Sequence, residues 1–561
     1  MAKIHTLKIS NYRSIQSFKQ VFGKTDFICL IGRGDSGKST ILEAISVVLS
    51  QSWNLTFYDT DFHNGNVSNP IEIEASLYNL PVKLIQESKY GLYARGLDVD
   101  TNTIHDDLLD EHEAILTIKL VVGRDLEPKW YVVSNRENQD PVEIRASDRA
   151  KLNVFLISDY VDRHFSWNKG NPLYSLLSED KDEAEEKRNV VIDAFREAKK
   201  KVDTHAFDNL DTTVERIKAS TSALGANIGN IQTTIDFRDI FTRDGKVCLH
   251  DESVPFRLKG KGSKRLISIA IQMELSKSGG ILLIDEIEQG LEPDRVQHLV
   301  QMLKVGRENQ VFITTHSRDV ITEIEAKDLY VMRKGQQSLS TFDDVIQGCI
   351  RSNPEAFFSQ RVLVGEGPTE VGVCRSINLD RISKGKKNAA YLGVRIANGI
   401  GSNQVPYSKA FKSSGYDVCL FCDSDVPEVN SQKAELRASG ITIIDWDEGK
   451  SIEHHIFEEL PWEGIKELIS YRESLKGVDS TREAVETRFG APLPTGWKES
   501  DTEEIRKALY ETSVAKKNEW FKRIDHGMTL GAICCKYLGA IEDKSLVTRF
   551  TELSEWMDYG S

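Results

Sequence analysis

Short, wholly apolar runs punctuate this chain, and several of them stop abruptly on acids or glycines. Phe27 to Ile31, Ile281 to Ile284, the stretch "QVFITT" and Val362 to Val364 read as buried strands. Three more follow: a short strand before "NGIGSNQ", "DVCLFC", and "ITIID". Between the early and late strands the pattern changes. From Glu183 to Leu224 the chain is charged, nearly free of Gly and Pro, and spaced for helices. Ala194, Phe195, Ala198 and Val202 make an apolar stripe there. Such a stripe serves either a helical arm packed on its own domain or a hairpin used for subunit contact.

Length and composition narrow the picture. A chain of 561 residues is too long for one core, so two to four domains are expected. Hydrophobic content of 40% and charged content of 28% describe a soluble globular protein. No apolar run approaches the ~20 residues that span a bilayer. The opening "MAKIHTLKIS" lacks a basic-then-apolar leader. A cytoplasmic protein without a membrane partner is expected. Net charge of −14 argues against a basic coat for nucleic acid, but phosphate binding needs only a local strip. Cys419 and Cys422 have redox or zinc spacing, but on a strand residues three apart face opposite ways. Buried free thiols are the expected outcome.

The densest chemistry is N-terminal. After the strand Phe27–Ile31 come Gly32, Gly34, Asp35, Ser36, Gly37, Lys38, Ser39 and Thr40, then an amphipathic helix. Glycines let such a loop wrap phosphates with its amides. Lys38 would reach the β/γ-phosphates of ATP, and Ser39 would hold Mg²⁺. The strand Ile281–Ile284 ends in Asp285 and Glu286. Asp285 would position Mg²⁺, and Glu286 would orient or deprotonate the attacking water. "QVFITTHSRDV" ends a strand at His316, suited to sense a γ-phosphate. Upstream, Gly262 and Ser263 open an amphipathic helix that offers a second phosphate site, for a nucleotide bound by another subunit.

This order of P-loop, signature-like loop, acids and switch histidine resembles the ABC-type ATPases of the RecF and SMC kind. "LKISNYRSI" resembles their first strand, which implies that Arg13 approaches the nucleotide. The signature reads Gly-Lys-Gly-Ser where the family's usual form is Ser-Gly-Gly.

The second constellation begins at "RVLVGEGPTEVGVCRSI". A strand runs into Glu366 and Glu370, a later strand ends in Asp423 and Asp425, and a fourth leads to Ser451 and Glu453 at a helix start. Carboxylates collected at strand ends repel unless cations sit among them, and Mg²⁺ or Mn²⁺ prefer such oxygens. Two ions about 4 Å apart would serve phosphodiester hydrolysis. The order resembles the Toprim domain of topoisomerases, primases and nucleases. ABC-type ATPase followed by Toprim resembles the OLD (overcoming lysogenization defect) family, which includes the Gabija nuclease subunit. That resemblance implies metal ligation by Glu366, Glu370, Asp423, Asp425 and Glu453, and a late lysine that stabilises the transition state. Lys522, Lys536 and Lys544 compete for that place, with Lys536 and Lys544 taken as the candidates. Arg381, Lys384, Lys386 and Lys387 are either a DNA-lining strip or a solvated loop.

The expected architecture is α/β. An ABC-type (RecF/SMC-like) P-loop ATPase occupies 1–155 and 236–357, with a mainly helical insertion at 156–235 and a parallel-sheet Toprim domain at 358–561. The expected function is ATP-regulated, divalent-metal-dependent DNA cleavage in antiphage defence. Expected partners are DNA, further copies of the chain in a dimer or tetramer, and a helicase or a retron reverse transcriptase with its DNA. The alternatives are a RecF/SMC-like repair ATPase without nuclease activity, or an effector scaffold held by a partner.

Overall fold

In the computed structural model, residues 2–152, 154–158, 162–165, 171–172, 197, 200, 249–251, 253–276, 279–305, 309–542 and 544–558 are described. The first strand, β1 (Lys3–Tyr12), pairs antiparallel with β2 (Ile15–Val21), and β3 (Phe27–Ile31) crosses to a second sheet. The helix α1 (Lys38–Val48) follows, and the first sheet resumes with β4 (Ile71–Tyr78), β5 (Arg95–Asp98), β6 (Thr103–His105), β7 (Glu113–Val122), β8 (Pro128–Val133) and β9 (Val142–Glu143). Its path is β2-β1-β4-β7-β5-β6, and β8 pairs with β7 and β9. The apolar stripe of Ala194, Phe195, Ala198 and Val202 lies outside the described residues.

The second sheet gathers strands from distant parts of the chain. Described next are β10 (Phe155–Ile157) and a small hairpin of β11 (His250–Asp251) and β12 (Val254–Pro255). Then come α2 (Lys261–Leu275), β13 (Ile281–Ile284), α3 (Pro293–Lys304), β14 (Gln310–Thr314), β15 (Leu329–Val331) and β16 (Ser340–Thr341). The order β10-β13-β14-β3-β15-β16 is parallel except for the last pair. Successive residues of β3 serve opposite faces. Ile28 and Leu30 pack toward the first sheet, whereas Cys29 and Ile31 pack toward α2 and α3. Buried Gln310 stitches the two sheets: its amide accepts from Ile4 N at 2.7 Å and donates to Ile4 O at 2.9 Å.

The last unit is a four-stranded parallel sheet in the order β18-β17-β19-β20. Its strands are β17 (Arg361–Gly365), β18 (Val394–Asn398), β19 (Asp417–Cys422) and β20 (Thr442–Asp445). The helices α4 (Pro368–Ser383), α5 (Gln404–Ser413) and α6 (Ile452–Glu459) follow β17, β18 and β20. The C-terminal helices α7 (Trp462–Lys476), α8 (Val478–Phe489), α9 (Glu503–Ser513), α10 (Ile524–Tyr537) and α11 (Ser545–Asp558) pack beside them. Cys419 and Cys422 are buried free thiols in different cores, on opposite faces of β19.

No apolar gap separates this sheet from the ATPase. One core runs from Ile31, Ile284 and Ile313 through Phe342 and Phe357 to Val362, Phe411 and Leu420. Aromatic edges knit it, with Phe342, Phe357, Phe411 and Tyr416 at centroid separations of 5.1 to 6.2 Å.

Candidate functional site

The P-loop turns from β3 into α1 with backbone that only glycine tolerates. Gly32 has φ of +149°, and a Cβ there would sit 2.2 Å from Met332 O. Lys38 donates from Nζ to Gly32 O and Arg33 O, each at 3.0 Å. Burial pulls its ammonium pKa down, against Asp285 and Glu286. The hydroxyls of Ser39 (3.0 Å) and Thr314 (2.6 Å) both donate to Asp285 Oδ1. The fold therefore joins the start of α1 to the end of β13, 246 residues on. Glu286 stands exposed beside it in the left-handed region, φ 48°, its amide donating to Thr314 Oγ1. Glu288 instead braces the next turn, accepting from Thr315 Oγ1 at 2.7 Å and His316 N at 2.6 Å. Burial and then the Lys38 charge push the His316 imidazole pKa down, which puts His316 within the field of the loop.

Arg13 lies beside α1, its guanidinium held by Asp61 and Glu43, instead of standing free over the loop. Ser263 is exposed on the first turn of α2, and Gly262 abuts Gly290, whose carbonyl would lie 2.2 Å from a Cβ at Gly262. Gly34, Asp35, Ser36, Gly37 and Thr40 lie in the loop and the start of α1. Thr40 shares a 3.0 Å hydrogen bond with Ser14.

The acids of the last unit are wired to one another through backbone amides. Glu366 directly follows β17, and its Oε2 accepts from Asp423 N at 3.1 Å. Glu370 Oε2 accepts from Gly367 N at 2.8 Å, and its Oε1 is buried without a partner. Asp423 Oδ1 accepts from Ile452 N at 2.9 Å, which ties the end of β19 to the start of α6. Glu453 Oε2 accepts from Ser451 Oγ at 3.2 Å. Glu370, Asp423 and Glu453 are buried, Glu366 is half-buried and Asp425 is exposed.

Burial without a counter-ion is costly for such a group. Desolvation and then Glu453 push the Glu370 carboxyl up to about 7, against Lys522. Desolvation, then Glu370, Glu453 and Glu366, raise Asp423 well above the usual carboxylate range. Among the described residues, no three of these acids bring ligand oxygens mutually within 4.8 Å. An oxygen-only set with an orphaned buried Oε1 fits a hard divalent cation, which would draw the acids together.

A lysine does face this cluster, and it is Lys522. Its residue is solvent-exposed, and although partial desolvation lowers its pKa, Glu453, Glu370, Asp423 and Glu366 together raise it. The cause is a helix crossing. A Cβ on Gly372 of α4 would lie 2.5 Å from Ile524 O, and one on Gly527 of α10 would lie 2.6 Å from Thr369 O. With Gly531 against Val373 and Ser376, the two backbones touch, and the segment just before α10 comes to the acid end of α4. Lys536 is instead exposed on the outer part of α10, where its ammonium pairs with Glu467 at 2.5 Å, and Lys544 is exposed before α11. Neither is brought to the acids.

The basic loop is likewise elsewhere. Lys384 is ~21 Å along the helix axis from Glu370, at 1.5 Å per residue. It pairs with Asp380, while Arg381 and Lys386 pair with Asp558 and Lys387 sits over the Tyr391 ring. Sequence reasoning also passed over Tyr510. It hydrogen-bonds Ser451, and burial and then Glu453, Asp425 and Asp423 raise its pKa. Only the amphipathic spacing of α9 signalled that its face would be turned inward.

Fold and site define an ABC-type ATPase joined to a Toprim domain, and the family comparisons agree. Residues 27–323, more than half of the chain, match "AAA domain, putative AbiEii toxin, Type IV TA system", and the chain belongs to that family. Residues 357–425 match "Overcoming lysogenization defect protein-like, TOPRIM domain", which gives the OLD-type ATPase–Toprim architecture. Among solved structures, the chain is similar to the Smc head domain from Pyrococcus furiosus with an extended coiled coil, bound to the C-terminal domain of ScpA. Identity there is 16% over 61% of this chain and 97% of that one, with a TM-score of 0.33. It is also similar to the recombination mediator protein RecF with ATP, at 13% identity over 61% and 98% of the two chains, TM-score 0.33. No curated protein matches the chain. Among the described residues, no helix is long and apolar enough to cross a membrane.

Proposed function

We infer that this chain is an ATP-regulated, divalent-metal-dependent DNA endonuclease of the OLD type, acting in the cytoplasm in defence against phage. The observation that carries the reading is the group of buried Glu370, Asp423 and Glu453, opposed by Lys522, in one chain with a P-loop ATPase. Buried acids that raise one another's pKa values are a poor structural device and a good cation site.

Glu366, Glu370, Asp423, Asp425 and Glu453 would hold Mg²⁺ or Mn²⁺. When bound, the ion supplies Lewis acidity toward a phosphodiester. Lys522 orients and neutralises charge that develops on the phosphate. The backbone amides of Gly367, Asp423 and Ile452 fix the carboxylates in place before substrate arrives. Lys38, Ser39 and Asp285 bind ATP with its Mg²⁺, Glu286 serves as base, and His316 reads the γ-phosphate. Phosphodiester hydrolysis needs no ATP, so the nucleotide regulates, through pairing of ATPase units across a dimer in which Ser263 meets the partner's nucleotide. Likeness to the Gabija nuclease subunit and work with a helicase or a retron partner belong to this same reading.

The test is cleavage of plasmid and linear DNA by wild type, Glu366→Ala and Asp423→Ala in Mg²⁺ and Mn²⁺, with and without ATP. Cleavage by wild type alone, with ATP binding kept by all three, supports the assignment. Full cleavage by both variants overturns the metal-centre reading. A wild type that binds ATP and DNA but cuts neither substrate is a repair-type ATPase.

A further inference from the structure

Away from both sites, three side chains at the first sheet bring candidate ligand atoms close together. Asp98 lies on β5, His105 on β6, and His112 just before β7. Among the described residues, theirs are the ligand atoms that all come within 4.8 Å of one another. The hairpin register explains the meeting. Gly96 pairs with His105 and Asp98 with Thr103, and residues two apart on a strand share a face. His112 then folds over that face. A Cβ on Gly96 would stand 2.3 Å from His112 Nδ1, so only glycine leaves room for the ring.

The supporting contacts fix the three groups without using them up. The His105 and His112 rings stack at 5.0 Å with an interplanar angle of 10°. Thr103 Oγ1 holds His105 Nε2 at 3.1 Å. The amides of Asp100 (2.9 Å) and Thr101 (3.2 Å) orient Asp98 through Oδ1. His112 Nδ1 is sealed from solvent and has no hydrogen-bond partner, an orphan that nothing in the protein satisfies.

We propose that Asp98, His105 and His112 bind a divalent transition metal of the Zn²⁺, Co²⁺ or Ni²⁺ class, which staples the 106–112 loop to the β5–β6 hairpin. Two imidazoles and one carboxylate favour these ions over Mg²⁺, which takes oxygen ligands. Water would complete the coordination on the exposed His105 side. The staple has work to do. The start of the loop is held by Arg136, which donates to Asp106 O at 2.9 Å through Nε, while Leu108 and Leu109 stand exposed between the two ends. The tip of the hairpin is in turn fixed to β1 through His5 and Asn102 at 2.8 Å.

The full chain is titrated calorimetrically with Zn²⁺ in excess Mg²⁺, which occupies the oxygen-only cluster. Wild type is expected to take one Zn²⁺, and His105→Ala and Asp98→Asn to lose that equivalent or at least about tenfold in affinity. Because His105 is exposed, His105→Ala removes a ligand without disturbing the core. As a second readout, Zn²⁺ should slow proteolysis within 106–112 in wild type and leave the rate unchanged in His105→Ala. Equal stoichiometry and affinity in wild type and His105→Ala would overturn the site. So would Zn²⁺ uptake that disappears entirely in Glu366→Ala.

Discussion

The His316 ring lies 6.3 Å from the Phe358 ring, tilted by 31°. His316, the proposed γ-phosphate sensor, thus packs near the residue that leads into β17, the strand that Glu366 directly follows. Arg33 of the P-loop reaches the same seam, 3.2 Å from where a Cβ on Gly393 would stand, and a cavity of about 370 Å³ opens there between loop and sheet. If the nucleotide regulates cleavage as proposed, this seam is a short route for its signal into the Toprim unit. Phe358→Ala should therefore bring the ratio of cleavage rates with and without ATP toward one, while basal cleavage and ATP hydrolysis persist. A nicking assay across ATP concentration checks it, and an unchanged ratio would remove Phe358 from the route.

Lys522→Ala should lower the cleavage rate by ~10²–10³, the usual effect of removing one pre-organised donor to a transition state. Lys536→Ala, whose ammonium is spent on Glu467, should change it little. Metal binding, followed by calorimetry with Mn²⁺, should survive both changes. A larger loss from Lys536→Ala than from Lys522→Ala would reverse the assignment.

The metal-free protein should lose stability as pH rises from about 4.5 toward about 7, the ordinary and the raised values for Glu370. The sign follows from linkage. Folded Glu370 and Asp423 keep protons that the unfolded chain releases in that window, so raising the pH favours unfolding. Melting temperatures in chelator should fall across it. Glu370→Gln should flatten the fall, and Mg²⁺ should restore the wild type near pH 8. A chelated wild type whose melting point rises over the same window would contradict the environment assigned to these acids.

Glu286→Gln should keep ATP binding and lose turnover by ~10²–10⁴, the range for a general base. Glu288→Gln should act differently, because Glu288 holds the Thr315–His316 turn through two hydrogen bonds. Its expected result is a weakened response of cleavage to ATP with a smaller loss of turnover. Fluorescent-nucleotide binding and phosphate release separate the two. Normal hydrolysis by Glu286→Gln would move the base elsewhere.

What could be read from sequence was whatever depends on neighbours along the chain. A strand that stops on Glu366 or Asp423 announces itself locally, as does Ser451 two residues before Glu453. The period of two also predicted that Cys419 and Cys422 would part company across β19. Lys522 was not legible in this way. Its position is set by Gly372, Gly527 and Gly531, which belong to two helices about 150 residues apart and matter only once their backbones touch. Charge misled in the other direction. Arg381, Lys384, Lys386 and Lys387 look like a phosphate strip in sequence, but the fold supplies Asp380 and Asp558 to three of them and Tyr391 to the fourth.

The core that runs unbroken from Ile313 through Phe357 to Phe411 has a consequence for how such a chain can be inherited. Beads on a string can be shuffled at their linkers. Here a break near residue 358 would strip Phe342 and Phe357 from one half and Val362 and Phe411 from the other, leaving two raw apolar faces. Each fragment would be an aggregation hazard before it was an enzyme. Recombination between relatives should accordingly exchange the ATPase and its acid-bearing partner as a single heritable block. New specificity would then have to arise in what hangs from that block, not by trading its halves.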